Sequence, residues 1–176
     1  RNVYDVGMLD TTTSTFTTID ISASASSFNN MFRGAAAVGT NVYFGPVAGD
    51  FAVGVLDTTT TTFSTIDISA AGVTGDWKYT GTTAVVTSVY LTPYDADAIG
   101  VLDTTTSTFS TIDITAAIGD SRSAKYNGRA AVVGTKLVFA PYYDWRPDVG
   151  VGVLDTATST FSMADMSDLT TSHVFL

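Results

Sequence analysis

The chain has no cysteine among its 176 residues. That excludes disulfides, thiolate metal sites and thiol nucleophiles, but leaves the compartment open, since a well-cored β domain is secreted without bridges. Glutamate and glutamine are missing too: all seventeen acidic residues are aspartate. Both are good helix formers, whereas the plentiful Thr, Val, Ile, Tyr and Phe suit pleated, half-buried surfaces, so the composition predicts an all-β protein. Basic residues number only eight, scattered along a chain of net charge −9. Nucleic acid and anionic membrane surfaces demand clustered Lys and Arg and are excluded as partners. Histidine occurs once, as His173 in the terminal tail, and no Asp pair has the context of glycosidase acid/base chemistry, so no catalytic constellation is visible. No apolar run approaches the roughly 18 residues needed to span a bilayer. No cofactor motif is present.

What the chain does contain is a sentence repeated four times. Val6-Gly7-Met8-Leu9-Asp10-Thr11-Thr12-Thr13-Ser14-Thr15-Phe16-Thr17-Thr18-Ile19-Asp20-Ile21-Ser22 returns from Val53 to Ser69, from Ile99 to Thr115 and, more loosely, from Val151 to Ser167. Its aspartates Asp10, Asp57, Asp103 and Asp155 lie 47, 46 and 52 residues apart, which is the period of a supersecondary unit. A second motif sits between the copies: Phe32-Arg33-Gly34-Ala35-Ala36-Ala37-Val38, Tyr79-Thr80-Gly81-Thr82-Thr83-Ala84-Val85 and Tyr126-Asn127-Gly128-Arg129-Ala130-Ala131-Val132. Each is followed by a short polar step and an apolar run ending in Pro46, Pro93 or Pro141, the pattern of a hairpin whose second strand stops at proline.

One repeat is therefore four short strands. Strand A is the small-residue segment. Strand B is the Val-Tyr-Phe type (Val42 to Phe44, Val89 to Leu91, Leu137 to Phe139), C is Gly-Val-Leu-Asp, and D is Phe-Ser-Thr-Ile-Asp-Ile. Four strands in about 45 residues, repeated, is the signature of a β-propeller blade, and Ala and Gly in strand A suit the crowded centre of such a ring. A β-solenoid, the alternative, has coils of about 20–30 residues. The units resemble kelch-like and related β-propeller repeats of the algal and bacterial repeat-rich type, with an apolar A strand, a Tyr/Phe-x-x-Pro end to strand B and a Val-Leu-Asp-x-x-Thr-x-x-Phe hairpin. The kelch double glycine and the Trp-Asp dipeptide of WD40 units are absent, and the resemblance implies no catalytic residue.

The pieces run as half a blade (1–22), three blades (30–69, 77–115, 124–167) and a tail (168–176), three and a half blades in all. An open arc leaves apolar blade faces uncovered. Further blades in a longer chain, a second copy pairing into a seven-bladed ring, or the tail Ser172-His173-Val174-Phe175-Leu176 adding a strand to the half-blade would each cover them. Starting in mid-blade and stopping on an apolar run, the chain reads as a fragment.

In a propeller the A-B and C-D turns share one face and the B-C and D-A loops the other. The second carries the variation, where binding residues concentrate on a rigid scaffold. Its longest loop contributes Tyr142, Tyr143, Trp145 and Arg146, residue types that dominate recognition surfaces; Tyr94 lies in the preceding B-C loop. Trp77, Lys78 and Lys125 enter strand A near the channel mouth, and there the cations are expected to be solvated or paired rim charges. Asp95, Asp97, Asp144 and Asp148 are the candidate Ca²⁺ ligands, at a spacing unlike a full loop motif. The repeated aspartate columns, Asp10, Asp57, Asp103 and Asp155 at the C-D turn and Asp20, Asp67, Asp113 and Asp165 on strand D, read as structural.

The expectation is a non-catalytic binding or scaffold module docking a protein or carbohydrate through its loops. The alternative is an extracellular or cell-surface structural protein with 31 threonines, many of them at C-D hairpin tips open to O-glycosylation. A propeller hydrolase or lyase would need a channel-facing polar constellation that the repeats do not supply. An extracellular or organelle-lumen location is favoured over others.

Overall fold

A computed structural model describes residues 4–24, 32–47, 52–119, 124–142 and 150–164. Fourteen strands account for nearly all its regular structure. The half-blade pairs β1 (Asp5–Asp10) with β2 (Thr15–Asp20). Blade 1 is the meander β3 (Phe32–Val38), β4 (Asn41–Pro46), β5 (Ala52–Asp57) and β6 (Thr62–Asp67). Blade 2 repeats it as β7 (Tyr79–Val85), β8 (Ser88–Pro93), β9 (Ala98–Asp103) and β10 (Thr108–Asp113). Blade 3 does so as β11 (Ala131–Val133), β12 (Lys136–Phe139), β13 (Val151–Asp155) and β14 (Thr160–Ala164). Every pairing is antiparallel and in chain order, so each blade pairs strands adjacent in sequence. The structure is that of a partial β-propeller.

The register repeats as the sequence does. Strand B meets strand C through Asn41↔Asp57, Ser88↔Asp103 and Lys136↔Asp155. Blade 3 alone departs. It has one extra residue in strand A, its ladder reduces to three pairs, and an isolated bridge joins Tyr126 to Pro141. Two features of the D-A loops go beyond the all-strand expectation: a single 3-10 turn, Ser69–Ala71, and a one-turn helix α1, Thr115–Ile118. Both end on a glycine in the left-handed region, Gly72 and Gly119, whose N–H caps the turn.

Alternation along the strands places apolar side chains on both faces of a blade, and the core lies between blades rather than inside them. Tyr43, Val53, Val55 and Ile68 of blade 1 pack against Tyr79, Val89, Leu91 and Leu102 of blade 2. Ile99, Ile114 and Ile118 of blade 2 pack against Tyr126, Leu137, Phe139 and Leu154 of blade 3. The inner strands approach through the glycine column. A Cβ on Gly34 would stand 3.0 Å from the Thr82 nitrogen, and one on Gly81 would collide with the Gly128 carbonyl. Beside it the Thr83 hydroxyl accepts the Ala130 N–H at 3.1 Å. Small residues in strand A are thus a requirement of blade-to-blade contact.

Candidate functional site

The two ends of the blades differ in what their loops do. At one end the C-D turns are copies of one device. Asp10, Asp57 and Asp103 each accept an N–H at 2.8 Å and a hydroxyl at 2.6 Å from the threonine two residues on. These bonds favour the charged form and hold all three carboxyls below the usual 3.8, Asp10 at about 2. Asp155 is lowered chiefly by Lys136, 3.0 Å away, and then by the Ala157 N–H. The next hydroxyls of these turns pair with each other, Thr13 with Thr15, Thr60 with Thr62, Thr106 with Thr108 and Thr158 with Thr160. The C-D end is turn architecture throughout. At the far end of strand D, Asp20, Asp67 and Asp113 likewise accept the N–H two residues on, closing the turn that leads into the D-A loop.

The other end gathers seven of the residues singled out by sequence, Trp77, Lys78, Tyr94, Asp95, Asp97, Lys125 and Tyr142. Lys78 and Lys125 occupy equivalent places just before strand A, and their backbones tie one blade to the next. The Lys78 N–H donates to the Val47 carbonyl of blade 1, and its own carbonyl accepts the Tyr94 N–H. One blade on, the Lys125 N–H donates to the Tyr94 carbonyl and its carbonyl accepts the Tyr142 N–H. Both side chains are buried, Lys125 completely. The Lys125 ammonium donates to the Asp95 carbonyl at 3.0 Å and pairs with Asp97 at 3.0 Å, while Lys78 donates to the Gly75 carbonyl at 2.9 Å. Of the expectation that these cations are solvated or paired rim charges, the pairing holds for Lys125, but the rim exposure is corrected, since both side chains are buried. A loop carbonyl lies within reach of each ammonium, and an ammonium with such acceptors can be buried. Asp95 and Asp97 are taken up in the same tether, Asp95 also accepting the Ala124 N–H at 2.8 Å. Among the described residues no three His, Cys, Asp or Glu gather as a metal site; Asp144 and Asp148 lie outside them.

Above this base stand the aromatics. Trp77 and Tyr94 have ring centroids 6.0 Å apart at 45°, and Tyr94 and Tyr142 are 5.3 Å apart at 60°. Arg33, an exposed residue of blade 1, places its guanidinium 5.6 Å from the Trp77 ring centre, a cation–π contact. Tyr94 is half-buried, and burial, then the neighbouring Tyr142 and Asp95, raises its phenol above the usual 10. Trp77 and Tyr142 are exposed. Three successive blades thus contribute to one patch, which sequence spacing alone could not assemble. In the sequence Arg33 stands only as the second residue of a strand-A motif, with nothing to link it to Trp77. Tyr143, Trp145 and Arg146 lie outside the described residues.

Trp77 also sits at φ +56. The left-handed region is a poor place for a bulky side chain, and the position is so by construction, since Ala124, its counterpart 47 residues on, has φ +58. A tryptophan here carries backbone strain that alanine bears more easily.

No family model matches the sequence, and neither does any curated protein. Solved structures do share its shape. Hydrazine synthase of Kuenenia stuttgartiensis superposes with a TM-score of 0.63 at 16% identity, over 92% of this chain and 43% of that one. The fold is a propeller's. An extracellular domain described as part of a hybrid two-component system of B. thetaiotaomicron gives 0.59 at 13% identity, over 94% of this chain and 25% of that one. The computationally designed Ika4 protein gives 0.53 at 14%, over 81% and 77%. The chain spans less than half the length of the first two, and at these identities the likeness is one of fold alone.

Proposed function

We propose that this chain is a non-catalytic docking module that engages a protein partner through the Trp77–Tyr94–Tyr142 patch. The observation that carries the reading is Trp77, held exposed in a strained backbone conformation at the head of a ring ladder. Strain of this kind concentrates where recognition is performed. Mutually tilted rings with one Arg present a ridge of edges rather than a flat platform, which suits a protein pocket better than a stacked sugar. Its motif pattern resembles that of kelch-like propeller repeats, which supports a docking role. The hairpin-tip hydroxyls are largely engaged with aspartates or with each other, which weighs against a glycosylated surface array.

The test is affinity capture on the immobilised chain, followed by titration of each purified captured protein. Trp77→Ala and Tyr142→Ala are each expected to weaken binding about tenfold or more, with circular dichroism unchanged, while Thr106→Ala at the opposite end has no effect. Binding indifferent to both aromatic changes removes the patch from consideration. An oligosaccharide array that responds where no protein does would transfer the site to glycan recognition.

A further inference from the structure

The four copies of the C-D hairpin form an internal control, because three have neighbours that the fourth lacks among the described residues. Leu56, Leu102 and Leu154 are 4%, 0% and 0% exposed, whereas Leu9 is 58% exposed, and Phe16 stands out in the same way from Phe63, Phe109 and Phe161. In blades 1 and 3 two rings from strands A and B close on the D-strand ring, while in blade 2 strand B supplies Leu91 instead. Phe32 and Phe44 lie 5.8 and 6.0 Å from Phe63, and Tyr126 and Phe139 lie 6.2 and 6.3 Å from Phe161. A third contact recurs at the turns. Thr58, Thr104 and Thr156 each donate both N–H and hydroxyl to the carbonyl of an A-B turn, at Thr40, Thr87 and Thr135. Thr11 is their counterpart, and among the described residues no A-B turn stands opposite it and β1 pairs on one side only.

We infer that the free edge of β1 is a docking site for a β-hairpin of the A-B type supplied by polypeptide outside residues 1–176. All three A-B hairpins of this chain are paired with their own C-D hairpins, so a second copy could supply one only by opening a blade. The register is set by the complete blades. A polar or basic residue faces Asp10, as Lys136 faces Asp155; Val or Leu faces Leu9; and Phe or Leu faces Gly7. The turn carbonyl falls on Thr11. Main-chain pairing provides the affinity and the ring pocket over Phe16 the specificity.

Two experiments test this. In the first, a synthetic peptide with the sequence of residues 32–46 is titrated into the 176-residue chain. Saturable binding is expected, reduced about 3- to 10-fold by Thr11→Val and abolished by Leu9→Ser with Phe16→Ser, while Thr58→Val leaves it unchanged. In the second, the sequence of residues 28–47 is placed directly ahead of Arg1, restoring the 47-residue register. The melting temperature is expected to rise and the Thr11 amide to become protected from exchange. Absence of both effects overturns the inference, as does peptide binding indifferent to Leu9, Phe16 and Thr11. A concentration-dependent dimer broken by Leu9→Ser would give the edge to a second copy. Tighter peptide binding on deleting residues 168–176 would give it to the tail. Either result refutes the proposed source.

Discussion

Tyr79 and Tyr126 offer a direct measure of what an unsatisfied polar atom does to this core. Both are fully buried at the seams between blades, and neither hydroxyl finds a hydrogen-bond partner among the described residues. The Tyr126 oxygen lies over Gly152, where even a Cβ would stand only 2.8 Å from it. Blade 1 has Phe32 at the same place, so a bare ring fills the position. A buried hydroxyl without a partner carries a desolvation penalty of about 1–3 kcal/mol, and removing it forfeits only a few dispersion contacts. Tyr79→Phe and Tyr126→Phe should each therefore stabilise the fold by about 1–2 kcal/mol, read from urea unfolding with the slope unchanged. A pH series adds an independent signature. Burial raises both phenols well above the ordinary 10, so the stability tied to keeping them neutral is present below that value. It is lost as pH climbs past it, because only the unfolded chain then ionises. The double Phe variant should show a shallower alkaline loss. Destabilisation by more than about 1 kcal/mol in either single variant would show that the hydroxyl is satisfied and refute the reasoning.

Two further outcomes follow from the repeat. Val86 is 88% exposed at φ +54 in the A-B turn where Gly39 and Gly134 stand in the other blades. A β-branched residue is poorly suited to that conformation, so Val86→Gly should raise stability by about 0.5–1 kcal/mol in thermal melts, and a loss would count against the turn geometry. The aspartates of the C-D turns have carboxyls lowered from 3.8, so their contribution is complete above that value and lost as pH falls through the folded values, about 2 for Asp10. The melting temperature should be level from about pH 7 to 5 and decline between about pH 4 and 2, less steeply in Asp57→Asn. A flat acid limb would show that the caps contribute nothing.

How much was readable beforehand depended on whether a feature repeats. The C-D hairpin, the Pro-terminated B strand and the glycine column recur at a fixed spacing, and period-2 alternation turns that recurrence into strands and register. Lys78 and Lys125 recur as well, 47 residues apart, yet lysine reads as a surface residue because its usual fate is solvation. The carbonyls that house it come from loops whose backbone path no side-chain pattern reveals. Their shared spacing was the available signal. Ser69–Ala71 and Thr115–Ile118 had one too, an Asp two residues ahead and a Gly behind, outweighed by the all-strand composition. The aromatic patch was the least legible part, since Arg33, Trp77, Tyr94 and Tyr142 come from three blades and only ring-level packing unites them.

The glycine column has a bearing on how such a chain is assembled over generations. Where Gly81 meets Gly128, backbone touches backbone, so that joint does not depend on which side chains either unit carries. A unit excised, copied or moved within the gene would meet its new neighbour with the same fit at that point. The joint is thus indifferent to order, and the loops at the aromatic end stay free to diverge unit by unit without disturbing it.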